Sequence, residues 1–384
     1  LCPLSERFSS LSLSTMPELP PFAETDSFQQ LLEQLRHSSS ELNAADAWPA
    51  PQLHGMSEAG VLAWLIPDEF GGGNFSSVEL TIGYSHLAAA CLASTFVLTQ
   101  RNAAIQRIVR SENEELKKEL LPELATDSLF ATVGISHLTT SRQHLGKPAV
   151  TAEKLDAGYI LNGEVPWVTG ADKADIIVCG GTLEDGTQIL VALETCTEGI
   201  AIAPTVPLMA LNSSRTATVQ LTNVFVALEF LLHGPVENVM KQTGGGAGSY
   251  TTSALAVGHA ANAISLLRNE ADRRPELSEI LQPFTSEHLS ISADLALAAA
   301  DTSDAPSHLS SETMRQRSNS LALRASQASL ATSKGAGFVA SHPASRLVAE
   351  AMFFLVWSCP QPVVLGNLRE LTCTTSGSDD VNLS

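Results

Sequence analysis

The order of helix-like and strand-like sequence patterns along the chain is the feature that most constrains its fold. Short runs rich in β-branched residues, such as ADIIVCGG and QILVALE, fill the stretch from about 127 to 232. On both sides of it, apolar residues recur at mixed three and four spacing, which is typical of helices. We therefore expect an α+β protein with an N-terminal helical domain (26–126), a middle antiparallel β-sandwich or barrel (127–232) and a C-terminal four-helix bundle (233–384).

Local turn signals refine this prediction. Asn162-Gly163 and Asp185-Gly186 predict hairpin turns between strands. Pro67 and the triplet Gly71 to Gly73 predict a compact turn between two helices. The first 25 residues lack a basic segment followed by an apolar one, so they predict a disordered leader rather than a signal peptide.

Composition excludes several classes of function. The net charge of -19 repels phosphate backbones, so nucleic acid is not an expected partner. No apolar run approaches the roughly 20 residues that a membrane span needs. The six cysteines are scattered without a CxxC pair, which predicts no metal site. Cysteines in apolar surroundings are typical of buried free thiols and favour a reducing, cytoplasmic location.

The segment YILNGEVPWVTG, Tyr159 to Gly170, is the strongest candidate for chemistry. A strand that enters an Asn-Gly turn and returns places Trp167 and Thr169 on one face, because side chains alternate with a period of two. An indole and a hydroxyl side by side could hold a flat ring such as a flavin. The alternative is a core Trp beside a surface Thr.

The order of motifs resembles the acyl-CoA dehydrogenase family from about Leu53 to Leu371. Ile66 to Gly72 reads IPDEFGG, Ile160 to Gly170 reads ILNGEVPWVTG, and His342 to Arg346 reads HPASR. The resemblance implies a flavoprotein that binds FAD between the β-domain and the helical bundle, as a homodimer or homotetramer. It implies oxidation of the CH–CH group of a small-molecule acyl thioester and an electron-transfer partner.

The resemblance also assigns residues to one end of the cofactor. Trp167 and Thr169 match the family's pair beside the flavin ring. Ile135 and Ser136 match the strand that presents a backbone and a hydroxyl to the flavin. The family's TEPGAGSD motif reads SHLTTSRQ here, from 136 to 143, so the hydroxyl is kept and the acidic residue is lost.

Further positions carry weaker matches. Arg142, in the altered motif, could bind a phosphate or carboxylate of the substrate or be a solvated loop residue, and His137 fits a polar rim. Arg274 lies near the family's Arg that reaches the FAD pyrophosphate of a neighbouring subunit. Gly335 and Gly337, in KGAGF, occupy the place of the family's GGxGY beside the adenine end, although a helix C-cap explains them equally well.

The expected catalytic base is missing. In the family a Glu takes the α-proton of the acyl thioester, and that position is Ser358 here; nearby Glu350 matches a position at which we expect a structural helix contact. A serine cannot serve as that base unaided. Three hypotheses stay open: an FAD-dependent oxidoreductase with an unassigned base, a flavin monooxygenase on the same scaffold, and a catalytically inactive paralogue that serves in binding or assembly.

Overall fold

Helices at both ends of the chain flank a central β-sheet, as the sequence predicts. The computed structural model describes residues 20–44, 46–139, 147–242, 250–300 and 306–372. None of the helices in these ranges combines the length and the apolar character that crossing a bilayer requires.

Side-chain caps begin several helices of the N-terminal domain. At its first helix the Thr25 hydroxyl accepts a hydrogen bond from the Phe28 N–H, and at its third helix Ser76 and Glu79 form a capping box. Both devices satisfy N–H groups that a helix start leaves open. The helices are α1 (Asp26–Ser38), α2 (Ala50–Glu58), α3 (Ser77–Ala90), α4 (Leu92–Val109) and α5 (Glu114–Leu124).

The predicted disordered leader is too long. Pro21–Glu24 form a 3-10 helix, and the Phe22 ring lies 5.2 Å from the rings of both Phe28 and Trp64. Burial of this ring against the N-terminal core explains why residues 21–25 belong to the domain. Residues 1–19 lie outside the described residues.

The predicted glycine turn between α2 and α3 is confirmed. Asp68–Phe70 form a single 3-10 turn that ends at Gly71, whose φ of 81° lies in the left-handed region. Glycine adopts this conformation without a steric penalty.

The β-domain is one continuous sheet whose hydrogen-bonded path runs β6-β7-β3-β2-β4-β5-β8, with β1 paired to β4 off this path. Most neighbouring strands are antiparallel, as predicted, but β1 and β2 each pair with β4 in parallel. Strand β8 continues past the predicted boundary at 232. A short helix, α6 (Ser136–Thr139), follows β1. The strands are β1 (Ala131–Gly134), β2 (Val150–Leu155), β3 (Gly158–Val168), β4 (Ile176–Thr182), β5 (Gln188–Glu194), β6 (Ile200–Ile202), β7 (Ala217–Ala227) and β8 (Leu231–Val236).

The apolar run in β4 serves two cores at once. Ile177 and Cys179 belong to the cluster enclosed by the sheet, whereas Ile176 and Val178 belong to the cluster shared with helices α4 and α5. Because strand side chains alternate between faces, a strand buried on both sides is apolar throughout. This arrangement explains why IIVCGG shows no polar alternation.

The prediction of a hairpin turn at Asn162-Gly163 is wrong. Both residues lie inside β3, which runs without a break from Gly158 to Val168. A Cβ at Gly163 would lie 2.0 Å from the Ala149 carbonyl oxygen, and the Asn162 side chain accepts a hydrogen bond from the Asn223 N–H. The glycine therefore permits a close backbone approach at a strand irregularity. The turn predicted at Asp185-Gly186 does connect β4 to β5.

The C-terminal domain is a helical bundle in which two shorter helices take the place of the fourth. A Cβ at Gly258 of the first long helix would lie 2.2 Å from the Ser85 carbonyl oxygen of α3, so the missing side chain lets the bundle contact the N-terminal domain directly. After α7 (Val239–Gln242), the helices are α8 (Tyr250–Arg273), α9 (Ser278–Ala299), α10 (Ser311–Thr332), α11 (Lys334–Gly337), α12 (Pro343–Ala351) and α13 (Gln361–Leu371).

Candidate active site

Two hydrogen bonds bring the predicted flavin residues of the β-domain together. The Ser136 hydroxyl donates to the Pro166 carbonyl oxygen at 2.9 Å, and the Thr132 hydroxyl donates to the Thr169 carbonyl oxygen at 2.7 Å. The end of β1 is therefore tied to the end of β3. Ile135 directly precedes Ser136 and is half-buried in the same junction.

Trp167 projects outward from a distorted part of β3. The register between β3 and β7 shifts between Val165 and Val168, and Trp167 has a φ of 61°. Its side chain is 58% exposed. A bulky residue in the left-handed region is strained, and such strain is concentrated at functional sites.

The Thr169 hydroxyl lies in a small buried polar cluster. Thr169 is 2% exposed, and its Oγ1 lies 3.5 Å from Oγ1 of Thr216, which in turn contacts the Ser214 hydroxyl at 2.9 Å. The bulge interrupts the alternation of β3, so Trp167 and Thr169 differ in exposure although they lie two residues apart.

His137 is anchored to the sheet. Its Nε2 lies 2.9 Å from the Gly180 carbonyl oxygen. Burial lowers the pKa of His137, so the neutral imidazole donates through Nε2. Its buried Nδ1 has no hydrogen-bond partner among the described residues. Arg142, the predicted substrate residue, lies outside the described residues.

Ser358 lies in the connection between α12 and α13, where bundle side chains hold the backbone. Ser358 is exposed and has a φ of 46°. The Arg315 guanidinium donates to the Trp357 carbonyl oxygen at 2.7 Å, and the Asn319 amide donates to the Phe354 carbonyl oxygen at 2.9 Å. Ser358, predicted from the sequence to occupy the position of the family's Glu, is therefore held in a defined, strained conformation.

Aromatic rings support the same connection. Phe353 and Trp357 stack with ring centroids 4.8 Å apart, and Phe96 of α4 meets both rings nearly edge-on at 4.9 and 5.0 Å. These geometries are the preferred ones for aromatic pairs. They link the connection that carries Ser358 to the N-terminal domain.

Glu350 cannot replace the missing base at this position. Its buried carboxyl group lies 3.6 Å from Nδ1 of His259 and 3.7 Å from Nε of Arg346, inside the bundle. Burial raises the pKa of Glu350 to about 7. The expectation of a structural helix contact agrees with this environment.

The remaining predicted cofactor residues form a second group in the bundle. The Arg274 guanidinium donates to Oε2 of Glu270 at 2.7 Å and to the Thr332 carbonyl oxygen, two residues before Lys334. Gly337 packs against the last turn of α10, because a Cβ there would lie 3.0 Å from the Leu330 carbonyl oxygen. Space near the Cα of Gly335 is open. Arg274 and the KGAG segment are thus neighbours, as residues that serve the same end of a ligand would be.

Sequence reasoning missed the residues that support these positions. Thr132, Thr216 and Arg315 act through contacts with residues 37 to 47 positions away, and no local motif marks them. Within the described ranges, no three His, Cys, Asp or Glu side chains are grouped so as to hold a metal ion.

Comparison with solved structures defines the class of fold. The chain superimposes on a glutaryl-CoA dehydrogenase from Mycobacterium smegmatis in complex with FADH2 with a TM-score of 0.76. The match covers 90% of this chain and 93% of that one at 17% identity. The fold, helical at both ends with a sheet between, is that of acyl-CoA dehydrogenases.

Sequence comparison then gives the family. The model of the acyl-CoA dehydrogenase N-terminal domain matches residues 26–128. A probable acyl-CoA dehydrogenase of Bacillus subtilis, YngJ, is 24% identical over 65% of this chain and 67% of its own length. The NADH-dependent acryloyl-CoA reductase of Anaerotignum propionicum is 27% identical over 48% of each chain, so the match spans about half of that relative. The chain belongs to the acyl-CoA dehydrogenase family.

Proposed function

We propose that this chain binds FAD and oxidises the CH–CH group of an acyl thioester. The observation that carries the proposal is the outward indole of Trp167, held on a strained bulge beside the buried Thr169 hydroxyl. An aromatic ring kept at the surface by a strained backbone contributes little to the core, and it is suited to stacking on a flat ring. The FADH2 complex of the mycobacterial glutaryl-CoA dehydrogenase supports the same ligand.

The residues at the β-domain junction fit the ring end of FAD. Trp167 offers a ring face and Ser136 a hydroxyl oxygen on a backbone that the β1–β3 hydrogen bonds fix, while the Thr169 hydroxyl lies in its buried cluster with Thr216. FAD, when bound, would accept the hydride from the substrate's β-carbon. The fixed junction would orient the ring without any rearrangement of the sheet.

The second group of residues fits the other end of FAD. Arg274 can approach a pyrophosphate while it keeps its contact with Glu270, and the open space at Gly335 admits an adenosine group. On this proposal the second group serves the FAD of a neighbouring subunit, so the chain works as a homodimer or homotetramer. We further propose a cytoplasmic location and transfer of electrons to a separate electron-transfer protein.

The proton acceptor is left unassigned by this proposal. Ser358 lacks the basicity to take an α-proton, and Glu350 is enclosed within the bundle. This substitution favours a second candidate function, a flavin monooxygenase or a catalytically inactive binding protein, because neither needs a carboxylate at position 358.

The first experiment measures flavin content. The purified protein should absorb near 450 nm or take up added FAD, and Trp167→Ala should weaken FAD binding about fivefold, since stacking contributes on the order of 1 kcal/mol. Trp167→Phe, which keeps a ring, is the matched control and should retain more FAD. A colourless protein that takes up no FAD would refute both flavin enzymes and leave the inactive binding protein.

The second experiment tests the base. A panel of acyl-CoA thioesters is added anaerobically, and bleaching of the flavin is followed with time. Ser358→Glu should accelerate bleaching by on the order of 100-fold, the usual contribution of a general base, whereas Ser358→Gln should not. Equal rates in both variants would show that position 358 is not beside the α-carbon. Oxygen consumption by reduced flavin without bleaching by any thioester would instead support the monooxygenase.

A further inference from the structure

A cavity lies between the N-terminal helices and the β-domain, and none of its lining residues belongs to the candidate active site. Its volume is about 150 Å³. Leu53 and Leu62 line it from the helical side, and Leu129 and Phe130 line it from the β-domain side. The Trp48 ring stands edge to face with Phe130, with centroids 5.2 Å apart. A cavity of this volume accommodates a molecule about as large as benzene.

A buried cation lines the same cavity. Arg101 is 1% exposed, and its guanidinium donates to the carbonyl oxygens of Leu62 at 3.0 Å, Thr126 at 3.1 Å and Leu124. In the described part of the chain, no carboxylate forms an ion pair with it. Carbonyl oxygens satisfy the N–H donors but do not neutralise the charge, so the cavity has a positive wall.

The charged residues at the cavity edge leave a positive excess. The Asp127 carboxylate already binds Nδ1 of His54 at 2.8 Å, which lowers the pKa of Asp127 and raises that of His54. The Lys173 ammonium lies 3.9 Å from Asp172, whose carboxylate binds Arg215 more closely, at 2.8 Å. Each of these two carboxylates has a closer partner elsewhere, so Lys173 keeps only a long, weak contact with Asp172.

We propose that this cavity binds a small organic anion with an aromatic or branched apolar body. Its apolar part lies against Trp48 and Phe130, and its carboxylate faces Lys173 and Arg101. On a chain of net charge -19, a pocket with a local positive excess is the place that selects an anion over a cation. Benzoate is the simplest probe of this chemistry because its ring matches the volume.

The test compares three probes of equal shape. Benzoate, benzyl alcohol and benzylamine are titrated into the purified chain and followed by calorimetry and by tryptophan fluorescence. Benzoate should bind at least about tenfold more tightly than benzylamine, because the charge changes from attractive to repulsive. Lys173→Met should weaken benzoate about fivefold, whereas Lys154→Met, on an exposed position of β2, should not change it.

A variant that fills the cavity tests whether benzoate binds there. Ala50 is exposed and lines the cavity, so Ala50→Leu adds volume there without disturbing the core. This variant should lose benzoate binding and keep its unfolding midpoint. Undiminished binding in Ala50→Leu, equal affinity for benzylamine, or no binding up to about 10 mM benzoate would each overturn the proposal. None of these outcomes depends on FAD or on turnover.

Discussion

The buried pair of Glu350 and His259 predicts an unusual dependence of stability on pH. Nε2 of His259 lies 2.9 Å from the Leu347 carbonyl oxygen, which can only accept, so the neutral ring donates through Nε2 and keeps a lone pair on Nδ1. That lone pair faces Glu350 at 3.6 Å. Burial lowers the pKa of His259 to about 4 and raises that of Glu350 to about 7. Between these values the folded pair holds one proton, on Glu350.

In the unfolded chain the same proton sits on the other partner. The ordinary pKa values are 4.5 for Glu and 6.5 for His, so between them the unfolded pair also holds one proton, now on His259. Stability depends on pH only where the two states bind different numbers of protons. The pair should therefore contribute no pH dependence between about pH 4.5 and 6.5.

Replacing one residue of the pair by Gln makes the titration of the other visible in the free energy of unfolding. In Glu350→Gln only His259 titrates, and its lowered pKa means that stability is lost as pH falls from 6.5 to about 4. In His259→Gln only Glu350 titrates, and its raised pKa means that stability is lost as pH rises from 4.5 to about 7. Each span corresponds to a change in the free energy of unfolding on the order of a few kcal/mol. The two variants should thus show opposite slopes of about 1.4 kcal/mol per pH unit.

Urea unfolding at pH 4.5, 5.5 and 6.5, followed by circular dichroism, measures these slopes. Differences between each variant and the unaltered protein remove the titration of all other carboxylates. Glu119→Gln, on the exposed face of α5, is the control and should show no difference in slope. Parallel curves for both variants would refute the assignment of the shared proton. Arg346, 3.7 Å from Glu350, and Cys91 also face the pair and are unchanged in both variants.

Two further outcomes test the packing. Gly258→Ala should destabilise the fold by about 1–3 kcal/mol in urea unfolding, because its Cβ would meet the Ser85 carbonyl oxygen. Gly335→Ala, with open space around it, is the control and should not destabilise the fold. Equal unfolding midpoints in the two variants would contradict the close contact between α3 and α8. Cys196 is exposed, whereas burial raises the pKa of Cys179 to about 12. Iodoacetamide at pH 8 should therefore label Cys196 and leave Cys179 unmodified until the protein unfolds. Mass spectrometry of the peptides measures the labelling of each cysteine.

The sequence predicts the domain order because residue composition and hydrophobic periodicity are local properties of the chain. Runs such as IIVCGG predict strands by their composition, whether one face of the strand is buried or both. The Asn162-Gly163 pair shows where this reasoning ends. The same dipeptide can form a tight turn or a strand irregularity. The choice here depends on Ala149, just before β2, and on Asn223 of β7, both of which contact the pair.

The candidate site was predictable where a motif is continuous in sequence. Trp167, Thr169 and Ser136 lie in such motifs, and the structure brings their backbones together. The exposure of Trp167 could not be predicted, because alternation fails at a bulge that the pairing with β7 creates. The same holds for Arg315 and His259, whose roles arise from contacts 42 and 88 positions away.

Ser358 and Trp167 are the residues proposed for two different tasks, proton abstraction and flavin binding. Both residues keep positive φ angles, and side chains from other elements hold the backbone near each of them. Strain of this kind persists only where the surroundings enforce it. If position 358 does correspond to the family's base, as we propose, the enforced geometry is kept there although a serine replaces the carboxylate. Because Trp167 lies in the β-domain and Ser358 in the bundle, we propose that FAD binding and proton abstraction can be altered separately, which Trp167→Ala and Ser358→Glu test one at a time.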